Sequence, residues 1–232
     1  MTDRLSVPTP HGEARLLRDR SRHPVATLLL GHGAGGGVEA PDLVALAVGL
    51  PRQGISVVRV EQPWRVAGRR VAPRPQVLDV CFVAAANRLR VRTPLVVGGR
   101  SAGARSAART AHELGASGYL ALAFPLHPPG RPERSRLPEL EAVDLPTLVV
   151  QGERDAFGRP EEFPPDRELA VVPGADHGFR VPRRGPVSAE EAMAIIVEAV
   201  LEFVVRDVVG GPSAPAVGPS GNRTRPGGVD AL

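Results

Sequence analysis

Short apolar runs, each bracketed by turn residues and several followed by a helical pattern, constrain this chain more than any other feature. Residues 25–30 (VATLLL), 55–60 (ISVVRV), 94–98 (PLVVG), 119–124 (YLALAF), 147–150 (TLVV) and 168–172 (ELAVV) give six strand candidates. Continuous apolar runs of this length fit strands buried on both faces of a parallel sheet. Helical spacing occupies residues 41–53, 76–90, 102–114 and 189–206. The alternation predicts an open α/β sheet, mostly parallel and twisted, with helices on both faces. The last helix has the clearest start, since Ser188 and Glu191 form a capping box ahead of an apolar face of Ile195, Ile196, Ala199 and Phe203.

At 232 residues, the chain can build one substantial core but not two full-sized domains. That domain is expected over residues 1–208. Residues 209–232 turn rich in Gly and Pro with few large apolar groups, the composition of a disordered tail. No apolar run approaches the ~18–20 residues of a membrane-spanning helix, and the first residues lack the apolar stretch of a secretory signal. The single cysteine, Cys81, excludes a disulfide framework and a Cys-cluster zinc site and makes a cytoplasmic location the default. It sits mid-helix among apolar residues and reads as packing.

All 29 basic residues are Arg and the net charge is +4. They are spread along the chain with only isolated pairs such as Arg69-Arg70. A nucleic-acid binder concentrates its cations on one face, so no nucleic-acid partner is expected. No spacing of His or carboxylates suggests a metal, and no cofactor is implied.

Gly99-Arg100-Ser101-Ala102-Gly103 matches G-x-S-x-G, and its position matters more than the pattern. It follows the strand PLVVG and opens the helix AGARSAARTAHEL. A serine on such a turn exposes its hydroxyl at the sheet edge, with helix-start N–H groups facing whatever binds it. Serine is also simply favoured as an N-cap; the strand–turn–helix context favours the nucleophile.

A serine hydroxyl needs a base, and the base an orienting acid. The strand at 147–150 ends in Gln151-Gly152-Glu153-Arg154-Asp155, and the strand at 168–172 ends in Pro173-Gly174-Ala175-Asp176-His177-Gly178. Both loops lie at carboxyl ends of strands, where open α/β sheets gather their chemistry. Ser101, Asp155 and His177 therefore form the candidate triad, with Asp176 the second choice of acid and Glu153 a weaker one. The backbone N–H of Ala102 is one oxyanion donor; the second is expected from the loop Gly31-His32-Gly33-Ala34-Gly35-Gly36-Gly37, at Ala34.

The same loop carries Gly31-x-Gly33-x-x-Gly36, a dinucleotide fingerprint, and Glu61 ends the next strand where a ribose-binding acid would stand. A dinucleotide-binding protein is thus a rival reading. Against it, the next helix begins only near Pro41, and Ser101, Asp155 and His177 are left without a task.

With these residues placed, the chain resembles the α/β-hydrolase superfamily, and within it the small, lidless branch of dienelactone-hydrolase-like and testis-expressed-protein-like hydrolases. The matching segments are GHGAGG (31–36), GGRSAGAR (98–105), FPLHPPGRPE (124–133), QGERDAFG (151–158) and GADHGF (174–179). The resemblance implies Ser101 as nucleophile, Asp155 as acid, His177 as base, and Ala34 and Ala102 as backbone donors. Relatives often carry Met-Gly after the serine, where this chain has Ala102-Gly103. Some members of the branch act as subunits of complexes, so a binding or scaffold protein on a hydrolase fold is the alternative function.

His32, His127, Trp64 and Phe179 are candidate pocket residues, each with a structural role as its competitor: loop brace, turn or core. Arg100, beside the nucleophile, reads either as an attractor for a carboxylate substrate or as a solvated side chain. The short span between Phe124 and Thr147 leaves no room for a large lid. The expected activity is hydrolysis of a small ester, thioester or lactone through an acyl-serine, with a small-molecule acyl compound as the partner.

Overall fold

The computed structural model describes residues 2–210; residues 211–232, most of the expected tail, lie outside the described residues. Eight strands form one sheet in the order 1-2-4-3-5-6-7-8. The six strands read from the sequence are all present: β3 (Ala26–Gly31), β4 (Ile55–Glu61), β5 (Leu95–Arg100), β6 (Gly118–Leu122), β7 (Thr147–Gly152) and β8 (Glu168–Val172). They pair in parallel throughout. β3 and β7 are buried along their whole length, as strands covered on both faces must be.

The remaining two strands, β1 (Asp3–Thr9) and β2 (Gly12–Asp19), form an antiparallel hairpin that β2 joins to β4. Here burial alternates: Val7, Ala14 and Leu16 are buried while Ser6, Arg15 and Glu13 are exposed. A search for continuous apolar runs passes over such a pattern, because only one face of this hairpin meets the core.

Helices α1 (Pro41–Gly49) and α6 (Ala189–Phe203) cover one face of the sheet, where Leu43, Leu46, Ile196, Val200 and Phe203 pack on Leu28 and Leu30. Helices α3 (Pro75–Ala86) and α4 (Ala102–Thr110) cover the other, with Phe82, Ala104 and Tyr119 around Leu29 and Val97. Two short helices complete the fold, α2 (Pro63–Val66) and α5 (Leu137–Glu141). The helix expected over 41–53 stops at Gly49 and tightens into a 3-10 turn, Leu50–Gln53; Pro51 has no N–H to continue an α-helical ladder. The capping box of α6 forms as read, Glu191 N–H donating to Ser188 Oγ at 3.1 Å and Ser188 N–H to Glu191 Oε2 at 2.7 Å.

Between β6 and β7 the chain contributes loop and the five residues of α5, so among the described residues no large lid covers the carboxyl end of the sheet. No described helix is long and apolar enough to cross a membrane.

Candidate active site

β5 runs straight into the turn that α4 leaves, and Ser101 stands on that turn with φ 52° and ψ −110°. This region is sparsely populated for L side chains and costs on the order of 1–3 kcal/mol, so packing has to hold it. The hold comes from close approach of backbone to backbone. A Cβ on Gly103 would collide with the Gly31 carbonyl, so glycine there lets the start of α4 lie directly on the end of β3.

The two later loops converge on Ser101 because of a similar approach. A Cβ on Gly152 would come within 2.6 Å of the Ala175 carbonyl oxygen, and Arg154 N–H donates to that same oxygen at 2.8 Å. The acid loop and the base loop are thus laced together. As a result His177 Nε2 lies 3.0 Å from Ser101 Oγ, and His177 Nδ1 lies 2.7 Å from Asp155 Oδ2.

Asp155 is fully buried. Its Oδ1 accepts from Phe157 N–H at 2.8 Å, and its Oδ2 accepts from Gln151 Nε2 at 2.9 Å as well as from the imidazole. A buried carboxylate needs this many donors. Because that carboxylate accepts, the proton sits on Nδ1 and the Nε2 lone pair faces the serine hydroxyl. Phe157 stacks on the imidazole with centroids 4.1 Å apart, and Arg100 Nη2 donates to the His177 carbonyl at 3.0 Å.

The other acid candidates are engaged elsewhere. Asp176 Oδ1 accepts the N–H groups of Gly178 and Arg180 at 2.7 and 2.9 Å, and Glu153 Oε2 accepts from Gly174 N–H at 2.5 Å. Both carboxylates brace the turn that presents His177 and do not touch its ring.

These groups open onto a cleft of about 700 Å³ lined by Ser101, Ala102, Ala34, Phe157 and His177, among others. Ala34 and Ala102 both line the cleft, and their N–H groups have no backbone acceptor among the described residues. Gly33 lies beneath them, where a Cβ would be 3.6 Å from Ser101 Cβ.

None of the four pocket candidates lines this cleft. His32 is buried behind the glycine loop, its Nδ1 bonded to the Gly33 carbonyl at 2.9 Å and its Nε2 accepting from Gln62 N–H at 3.1 Å; burial holds its pKa below the ordinary imidazole value. It braces the loop that carries Ala34. Trp64 and Cys81 line a separate cavity of about 430 Å³ beside the N-terminal hairpin. Phe179 belongs to the core under α6. His127, itself buried, bonds the Pro128 carbonyl and Glu162.

Arg100 is likewise committed, to the His177 carbonyl and to the fully buried Asp42, whose Oδ2 lies 3.8 Å from its Nε. Burial raises the pKa of Asp42 against the pull of Arg100. Sequence reasoning missed Gln151, Phe157, Asp42 and three of the arginines that line the cleft, Arg105, Arg136 and Arg180. The first two stand inside the segment QGERDAFG and were within reach; nothing local marks the others. The dinucleotide rival gains no support from the placement of Glu61, whose carboxylate lies 3.6 Å from Arg15.

A family model described as an alpha/beta hydrolase domain matches residues 24–205, and the chain belongs to that family. Among solved structures, a lidless α/β serine hydrolase from Xanthomonas campestris is similar at 21% identity, with a TM-score of 0.70 over 92% of this chain and 97% of that one. An α/β serine hydrolase homologue from Coxiella burnetii shares 18% identity with a TM-score of 0.68, covering 85% and 97% of the two chains. A dienelactone hydrolase from Anabaena variabilis shares 17% identity with a TM-score of 0.68, covering 90% and 98%. No match emerged among curated proteins.

Proposed function

We propose that this hydrolase cleaves a small ester, thioester or lactone through an acyl-serine intermediate. One observation carries the reading: a continuous hydrogen-bond chain from Asp155 through His177 to Ser101 at the mouth of a cleft that Ala34 and Ala102 also line. In the first half-reaction His177 Nε2 takes the proton from Ser101 Oγ as the oxygen bonds to the acyl carbon. The resulting oxyanion lies against the Ala34 and Ala102 N–H groups. Collapse breaks the bond to the leaving group, which receives the proton from His177. Water then repeats the sequence on the acyl-serine, releasing the acid and restoring Ser101.

Asp155 accepts from His177 and fixes the Nδ1–H tautomer. Each backbone donor is worth on the order of 3 kcal/mol in the transition state. The open cleft suits short acyl groups and disfavours long lipid chains, which need an apolar cover.

A fluorophosphonate probe and a panel of short p-nitrophenyl esters test the reading. Wild type is expected to be labelled and to hydrolyse at least the shortest esters, and Ser101→Ala to do neither. A folded wild-type protein that is never labelled and turns over none of the panel would instead favour a binding role on the same fold.

A further inference from the structure

We propose that the wall of this cleft formed by Arg136 and Arg105 binds an anionic group, a carboxylate or a phosphate, carried by the substrate; the inference rests on the hydrolase reading of the same site. Four arginines line the cleft: Arg100, Arg105, Arg136 and Arg180. Their surroundings separate them. Arg100 is spent on Asp42 and on the His177 carbonyl. Arg180 is exposed to solvent, and its backbone N–H donates to Asp176 Oδ1. Glu39, the other acid at the rim, lies 3.5 Å from Arg65.

Arg105 sits one turn beyond the nucleophile, its N–H donating to the Ser101 carbonyl at 3.1 Å. It grips Glu139 with Nε at 2.8 Å and Nη2 at 2.5 Å, but Glu139 also accepts from Arg109 Nη1 at 2.8 Å. Arg109 in turn holds Asp79. Arg136 makes no salt bridge among the described residues; its guanidinium contact is Nη1 to the Pro125 carbonyl at 3.3 Å. On this wall three guanidinium groups therefore face two carboxylates, leaving one positive charge uncompensated.

That charge is partly shielded from water. Burial and the neighbouring Arg105 charge push the Arg136 pKa below its ordinary value, and the Glu139 charge offsets them only in part. A planar fork held by the chain beside a cleft is suited to carboxylate or phosphate oxygens. The nucleophile lies one helical turn from the same wall, so an anion docked there presents the rest of a short substrate to Ser101.

The test compares p-nitrophenyl hydrogen glutarate with p-nitrophenyl pentanoate, which match in length and differ in one charge, each corrected for spontaneous hydrolysis. Wild type is expected to favour the anionic ester in kcat/KM on the order of tenfold. Arg136→Gln is expected to bring the ratio near one, and Arg136→Lys to restore part of it, with thermal unfolding showing that both variants fold. Equal rates in wild type, or a preference that survives Arg136→Gln, would overturn the proposal. Binding of glutarate and of inorganic phosphate to Ser101→Ala, followed by NMR, needs no turnover and tells which anion is preferred. Arg136-dependent binding without hydrolysis of any ester would sink the hydrolase reading and leave the anion site standing. Hydrolysis of the neutral ester with no binding of either anion would do the reverse.

Discussion

His177 and His127 each lie against a carboxylate, at 2.7 Å from Asp155 and 2.8 Å from Glu162, yet only His177 has a hydroxyl on its other nitrogen. At His177 one nitrogen faces an acceptor and the other faces the Ser101 hydroxyl, a donor. The neutral ring satisfies both contacts and keeps a lone pair aimed at the Ser101 hydroxyl. At His127 both nitrogens face acceptors, the Pro128 carbonyl and Glu162. Only the imidazolium satisfies both, and these two contacts raise its pKa above the ordinary value. A histidine–carboxylate pair is therefore not a catalytic signature by itself; the partner of the second nitrogen decides.

The largest expected effects fall on the first histidine and its neighbours. Ser101→Ala and His177→Gln should each lower kcat by ~10³-fold or more, and Asp155→Asn by a comparable ~10³–10⁴-fold because it favours the wrong tautomer. Steady-state hydrolysis of a short p-nitrophenyl ester measures all three. An Asp155→Asn enzyme retaining near wild-type activity would break the comparison, because Asp155 would then be no more than a structural carboxylate like Glu162.

Next comes Phe157, whose ring stacks on the His177 imidazole. Phe157→Ala is expected to cost on the order of tenfold in kcat by loosening the base, with Phe157→Tyr preserving most of the activity. His127→Gln should leave kcat within about threefold and lower unfolding stability by about 1 kcal/mol, since it removes a charge-assisted contact at a partly exposed carboxylate. Esterase assays and urea unfolding on the same preparation separate these two outcomes. Loss of activity at full stability would mean that the His127–Glu162 pair reaches the chemistry after all.

The smallest expected effect is one of sign. His127 has a raised folded pKa, so its contribution to stability is complete below the ordinary imidazole value of about 6.5 and fades as pH rises through the folded one. His32 has a lowered folded pKa, so its contribution is complete above that value and fades as pH falls. The stability gap between wild type and His127→Gln should therefore shrink on going alkaline, and the gap between wild type and His32→Gln should shrink on going acid. Unfolding curves taken on either side of neutrality check both, and gaps that move in the same direction would contradict the assignment.

Fold and triad geometry differ in how far they were legible. Apolar runs and the G-x-S-x-G at a strand-to-helix turn are local patterns, and they led to the parallel strands and to Ser101. The order Ser, Asp, His at the ends of successive strands pointed to the loops that now meet, because a parallel sheet brings the carboxyl ends of its strands to one edge. Asp176 and Glu153 remained open competitors, since the direction of a carboxylate on a loop depends on which N–H groups that loop turns inward. The hairpin of β1 and β2 went unread because half of its residues face solvent. The four pocket candidates were aromatic or imidazole side chains chosen by type, whereas the cleft is lined largely by glycine, alanine and arginine.

What the sequence determined by itself is therefore everything that hydrophobic periodicity and turn chemistry write locally: the α/β class, the parallel strands and the serine at its elbow. Tertiary structure alone decided which carboxylate reaches His177, which histidine keeps a free lone pair and which cleft guanidinium is left out of the Arg105–Glu139–Arg109 salt-bridge network. Each of those outcomes is a balance among neighbours far apart in the chain, and no single segment contains the groups that set it.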